Sequence, residues 1–348
     1  LSDLKREYWV DSAKGIGIIL VVVGHVWRGM MNGAIVPADN LYYALDSAIY
    51  VFHMPLFFLL SGLFFEKSIL RRGWTASLRT RIMTLLYPLV LWSYVTAAFL
   101  LVAGRLTNRG GLSLWDALTY PFPPKDVYWF LGALFAIQLV ATLLVATRRR
   151  ELLLLALAVS IVFVFAIGFS EREVWVRGMI LNAPFFFIGM LIPKRMLGSK
   201  MLGGMGLAVF AVVEVALVSN PGPLEMPRDF LLSMCASIGF LFAAAWLLSV
   251  VSLPYLRAIG MASMAIFVSH VIALAACRIA LSKLGIEHPW LHLVGGTAVG
   301  VAGPLIMYLL ARRLGLLGPL GLGSRPKRKR DEHGSPGVFD QDLARTRS

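Results

Sequence analysis

Apolar runs of about 17 to 25 residues recur from end to end of the chain, each long enough to cross a hydrocarbon layer roughly 30 Å thick. Inside lipid, a backbone must satisfy its own hydrogen bonds, which leaves helices and closed barrels. The runs are continuous and do not alternate, which points to helices. The predicted fold is therefore all-α, a polytopic transmembrane bundle of about ten spans, near 13–33, 41–65, 82–104, 128–147, 152–169, 177–193, 203–219, 229–251, 260–281 and 290–311. With 58% hydrophobic and 15% charged residues, a soluble domain of 348 residues is excluded.

Lys and Arg accumulate on the cytoplasmic side of membrane proteins. The loops on the side of the amino terminus carry about twice the cations of the opposite set, among them Lys5, Arg6, Lys67, Arg148, Arg149, Arg150, Arg312 and Arg313. Both termini are accordingly expected to be cytoplasmic. The net charge of +14 is then mostly a topology signal, and no nucleic-acid partner is implied. A transmembrane domain over 1–317 is expected to be followed by a basic tail, 318–348, containing Arg325-Pro-Lys-Arg-Lys-Arg330. That composition predicts a disordered cytoplasmic end that meets anionic lipid. The first span is expected to remain as an anchor, because its apolar run is long and no small-x-small site follows. Cys235 and Cys277 lie inside apolar runs, so neither a disulfide framework nor a cysteine metal site is implied.

Polar groups inside such spans are expensive and mark candidate function. Lys14 and His25 are eleven residues apart in the first span, so they share a helix face about 16 Å apart along the axis. Asp11 and Arg28 extend the same ionisable stripe. Counting along the helices puts His25, His53 and His270 within a few Å of the midplane. An imidazole there can take a proton from a hydroxyl. It can equally fix helix packing, and for His53 and His270 the two readings stand level. The three histidines come from three helices with no obvious carboxylate at their depth, so no metal is expected. Tyr128-Trp129-Phe130 reads as an interfacial aromatic belt or as a stacking surface for a sugar. The segment from Glu66 to Arg81 reads as a basic inner loop suited to an anionic ligand.

Several motifs in order resemble the acyltransferase 3 family, and Tyr8 to His25 is most similar to its fucose 4-O-acetylase-like branch. They are Phe52-His-Met-Pro-Leu-Phe-Phe-Leu-Leu-Ser-Gly62, the basic stretch into Leu85-Leu-Tyr-Pro88, Tyr128-Trp-Phe-Leu131, Pro184-Phe-Phe-Phe-Ile-Gly189 and Ile259-Gly-x-x-Ser263 through His270. The resemblance spans about residues 8 to 311. Two departures stand out. Many members carry Arg where this chain has Lys14, which keeps the charge but loses the bidentate fork. The family's Arg-x-x-Arg pair appears as Arg81-Ile-Met-Thr84.

The resemblance implies a multi-pass enzyme of the bacterial inner membrane, an acyl-CoA-dependent O-acetyltransferase. It would move an acyl group, most simply acetyl from acetyl-CoA, to a hydroxyl of an envelope or exported carbohydrate. Donor phosphates would meet Arg71, Arg72, Arg79 and Arg81, with Lys14 at the portal. His25 would act as general base or carry the acyl group briefly, and His53, His270 and Ser61 would be candidates to steady the oxyanion. Asp11, Arg28, Ser61 and Trp129 are the expected contacts for the acceptor. The rival expectation is a proton-coupled transporter or flippase of a sugar or lipid-linked solute, for which the sequence offers buried ionisable groups but neither repeats nor paired broken helices.

Overall fold

The computed structural model describes residues 2–107, 111–166, 173–225 and 229–323, with side chains from Tyr8 onward, Arg72 excepted. The described chain is all-helical. In order come α1 (Ser2–Asn32), α2 (Asn40–Tyr50), α3 (His53–Leu63), α4 (Phe65–Arg72), α5 (Trp74–Arg81), α6 (Tyr87–Ala103), α7 (Leu114–Leu118) and α8 (Trp129–Ala146). They are followed by α9 (Arg150–Ala166), α10 (Val174–Leu191), α11 (Lys200–Ser219), α12 (Phe230–Val250), α13 (Pro254–Met261), α14 (Ser263–Lys283) and α15 (Pro289–Leu314). Nine helical segments among the described residues are long and apolar enough to cross a bilayer. The remaining expected span, 152–169, falls on α9, which is described for 17 residues up to Ala166.

The second span is interrupted at Val51 and Phe52, between α2 and α3. Pro55 lacks an N–H, and its ring clashes with the carbonyl four residues back, which belongs to Val51. The freed carbonyl finds a partner elsewhere: Ser233 of α12 donates its hydroxyl to Val51 O at 2.5 Å. The ninth span is interrupted at Ala262, between α13 and α14. Ahead of Pro88, residues Ile82–Leu86 widen into a π turn, where the Tyr87 N–H reaches Ile82 O. The same missing N–H explains it, since Pro88 cannot bond to Thr84 O. The basic segment Glu66 to Arg81 is not a loop but the short helices α4 and α5, with Trp74 exposed.

Packing of the spans relies on small residues, as it must where lipid is as apolar as the side chains. α3 crosses α10 at Gly62 and Gly189, α11 crosses α12 at Gly206 and Gly239, and α1 meets α13 at Gly15 and Gly260. One polar clamp joins three helices. The fully buried Tyr128 hydroxyl lies 2.7 Å from the Thr96 hydroxyl, 2.9 Å from Trp92 O and 3.0 Å from Val268 O. Tyr128→Phe should cost about 1 kcal/mol, read as a lower unfolding temperature in detergent. An unchanged temperature would show that the clamp contributes nothing net.

Beyond α15, Gly315 takes a left-handed conformation (φ 77°) and the chain turns back onto α6. Tyr87 donates to Pro319 O at 2.6 Å and Trp92 Nε1 to Leu320 O at 2.9 Å, while Leu317 and Leu322 are buried. Packed chain therefore continues to Leu322, past the tail boundary expected at Gly318. The rest of that tail, 324–348, lies outside the described residues, as do Arg109, Arg172 and Arg228, cations of the loops opposite the amino terminus.

Candidate active site

α1 and α14 line two cavities with one stripe each. On α1, Asp11, Lys14 and Ile18 line the first, and His25, Arg28, Gly29 and Asn32 line the second. Those spacings follow the 3.6-residue repeat, so one face of α1 serves both cavities. On α14, Ser263, Met264 and Phe267 face the first, and Val271, Leu274, Ala275 and Arg278 the second. Each cavity encloses about 500 Å³. They share no lining residue. Ile18 and His25 are seven residues apart on α1, about 10 Å, and Phe267 and Val271 four residues apart on α14, about 6 Å, so the wall between the cavities is one to two turns thick.

His270 stands in that wall, fully buried, with its ring centroid 5.1 Å from that of His25. Its Nδ1 lies 3.0 Å from Ile266 O and 2.8 Å from Phe267 O. Both neighbours are carbonyl acceptors, so Nδ1 carries the proton and Nε2 keeps its lone pair. That Nε2 is buried without a hydrogen-bond partner among the described residues. Such a group is costly to maintain in an apolar setting, and its place beside His25 makes it a candidate for handling a transferred proton or a substrate hydroxyl.

One turn beyond His25, Arg28 is held rigidly. Its Nε and Nη2 donate to the Asp46 carboxylate at 2.6 and 2.8 Å, and its guanidinium lies 3.3 Å from the centre of the Tyr50 ring. The bidentate fork and the ring face fix a cation at the cavity wall. Behind Tyr50 comes His53, edge-on at 4.7 Å, with Nδ1 2.7 Å from Ile49 O.

The structure thus brings His25 and His270 together but leaves His53 behind Tyr50, lining neither cavity. Asp11 and Ser61, expected with Arg28, instead line the Lys14-side cavity, where Asp11 lies 3.8 Å from Lys14 Nζ. Of the four arginines expected around the donor phosphates, Arg81 lines that cavity, with its guanidinium 4.5 Å from the centre of the Phe65 ring. Arg71 on α4 and Arg79 on α5 are exposed and line neither cavity, Arg79 being two residues, more than half a turn, around the helix from Arg81; the Arg72 side chain lies outside the described residues. Trp129 is corrected as well: it stacks on Phe58 at 6.4 Å and packs against Gly178, away from both cavities. Tyr128 beside it is no interfacial belt residue but the buried clamp described above.

Thr96, Thr107 and the buried His292 in the Arg28-side cavity, and Gln138 and Tyr308 in the other, were not singled out from sequence, whereas Thr84 and Ser263, which line the latter, were named only as motif positions. Apart from Thr107, which follows the third span, their signal was a polar atom inside an apolar span. Among the described residues, no group of three His, Cys, Asp or Glu side chains could hold a metal ion.

The Nodulation protein NolL of Sinorhizobium fredii is 29% identical over 214 residues, 61% of this chain and 56% of that protein. The Nodulation protein NolL of Mesorhizobium japonicum is 30% identical over 195 residues, 54% of this chain and 48% of that protein. The chain spans about half the length of these curated relatives. No solved structure matches. The family model described as an acyltransferase domain matches residues 7–309, nearly the whole helical bundle. With that match laid over both cavities and the wall between them, the chain belongs to the acyltransferase 3 family.

Proposed function

We propose that the protein is a membrane O-acyltransferase that takes its acyl group, most simply acetyl, from acyl-CoA and passes it to a carbohydrate hydroxyl. The observation that carries this reading is the single stripe of α1, with Lys14 in one cavity and His25 in another that backs onto the same wall. Both termini and the Lys14-side cavity are assigned to the cytosol, and the Arg28-side cavity to the outer face, in keeping with the distribution of cations. The bacterial inner membrane is the assigned location.

In this scheme Lys14 and Arg81 receive the donor's phosphates, and the arm delivers the thioester to the wall. The acceptor enters beside Arg28 and Arg278. Its oxygen attacks the thioester carbonyl while His25 takes the hydroxyl proton; the C–O bond forms, the C–S bond breaks, and the proton follows to the departing thiolate. The Ser61 hydroxyl, from the donor side, is the proposed donor to the tetrahedral oxyanion, while Nε2 of His270, with its lone pair free, accepts a hydrogen bond from the attacking hydroxyl or from His25. His53 has no contact with either cavity and is assigned to packing. An envelope or exported glycan is the proposed acceptor, and because two relatives are named nodulation proteins, a nodulation-type oligosaccharide is among the first to try.

The test is release of free CoA from acetyl-CoA by purified protein on addition of a sugar acceptor, alongside glycan O-acetylation in cells with and without the gene. Lys14→Ala should raise the KM for acetyl-CoA several-fold while kcat changes little, since a surface-proximal charge contact is worth on the order of 1 kcal/mol. An unchanged KM removes Lys14 from the donor site. A carrier of a sugar or lipid-linked solute is the second reading, favoured by the interrupted spans at Val51 and Ala262. It calls for solute movement without acceptor-dependent CoA release.

A further inference from the structure

Gln138 sits on α8 with 5% of its surface exposed, and its side chain lines the Lys14-side cavity. Its surroundings there are largely apolar: Leu134 and Phe130 on the same helix face, with Phe57, Leu85 and Phe267 from other helices. The side-chain amide makes no hydrogen bond with any described residue, and its Oε1 is buried. Its backbone carbonyl accepts from the Thr142 hydroxyl at 2.7 Å. Leaving a buried amide unmatched costs about 1 to 3 kcal/mol, a cost a Leu or Met at this position would avoid. A buried amide without a protein partner, facing a cavity, is a recognition group for something that enters the cavity.

The chemistry it recognises follows from what an amide offers, a donor and an acceptor side by side, and another amide meets both. Charge recognition is supplied elsewhere in the same cavity by Lys14, Arg81 and Asp11. Phe130 and Phe267, with ring centroids 5.1 Å apart, mark the end of the cavity at the His270 wall. Gln138 is eight residues along α8 from Phe130, about 12 Å from that end. A donor whose thioester rests at the wall and whose phosphates rest at Lys14 therefore passes its linker beside Gln138. In acyl-CoA that linker is the pantetheine arm, whose secondary amides are its principal hydrogen-bonding groups.

We infer that Gln138 is the residue that binds the arm of the donor, pairing its side-chain amide with an amide of pantetheine, and so restricts this cavity to pantetheine thioesters. This rests on the donor cavity assigned above.

The test is equilibrium binding to the purified full chain in lipid nanodiscs, with coenzyme A and with its adenosine bisphosphate head lacking the arm. Wild type should bind coenzyme A more tightly than the head alone. Gln138→Leu should weaken coenzyme A binding about three- to tenfold, the net worth of one or two hydrogen bonds, and leave binding of the head unchanged. Equal weakening of both probes would mean that the substitution disturbs the fold, and unchanged coenzyme A binding would mean that the amide is not used; either overturns the inference, as does wild-type protein that shows no preference for the arm. Glycan O-acetylation in cells separates this from the acyltransferase reading. Arm-dependent binding without acetylation keeps the Gln138 site and sinks the reading, whereas acetylation with binding indifferent to Gln138→Leu does the reverse.

Discussion

His25→Ala is expected to lower acceptor-dependent acyl transfer by about 10²- to 10⁴-fold, the range contributed by a positioned general base, while the protein remains folded in the membrane. The reason for the second half is location. His25 is half-buried on a cavity wall, so truncation enlarges an existing space and does not open a void in packed core. His270 differs, being fully buried and tied to the Ile266 and Phe267 carbonyls, so His270→Ala should lose stability together with activity. Paired measurement of CoA release and unfolding temperature distinguishes the two. Wild-type turnover by His25→Ala would remove the imidazole from the chemistry altogether. Release of CoA by the unmodified protein before any acceptor is added, in an amount matching the enzyme, would favour a transiently acylated His25 over a base.

How much of this was legible in the sequence depends on which coordinate is asked for. Depth along a helix follows from counting residues at 1.5 Å each, which is why His25 and His270, expected at one depth, lie side by side in the structure. Direction around the axis requires knowing the neighbours. Within α1 the 3.6-residue repeat supplies it, and the stripe from Asp11 through Lys14 to His25 and Arg28 could be read directly. Between helices nothing local does. His53 therefore has a suitable depth yet faces Tyr50, and Trp129 sits at a helix start yet packs inward on Gly178. Arg71 and Arg79 fail for a related reason: being basic is a property of the segment, but the faces that α4 and α5 turn outward are set by tertiary packing. The break at Val51 was available in principle, because Pro55 four residues on disables that carbonyl as a helical acceptor.

The largest effect on stability is expected where α3 crosses α10. A Cβ at Gly62 would meet the Phe186 carbonyl oxygen, and a Cβ at Gly189 would meet the Leu59 carbonyl oxygen. Leu59 and Gly62 are three residues apart on one helix, as are Phe186 and Gly189 on the other, so each glycine accommodates the backbone one turn from its counterpart. Neither contact can be relieved by a side-chain rotation, because the obstacle is backbone. Gly62→Val or Gly189→Val must push the helices apart, at a cost of about 3 kcal/mol or more for overpacking of this kind. The displacement would reach the donor cavity, since Ser61 adjoins Gly62 and Phe57 lies on the same helix. Gly204→Ala and Gly295→Ala are the matched controls, lying in α11 and α15 where an added Cβ meets nothing within 4 Å. Those two should be neutral or stabilising by about 0.5 to 1 kcal/mol, because alanine loses less freedom than glycine in a helix. Unfolding temperatures in detergent for the four variants decide it. If Gly62→Val melts with wild type and the controls, the close crossing does not hold these helices together, and packing elsewhere in the bundle must.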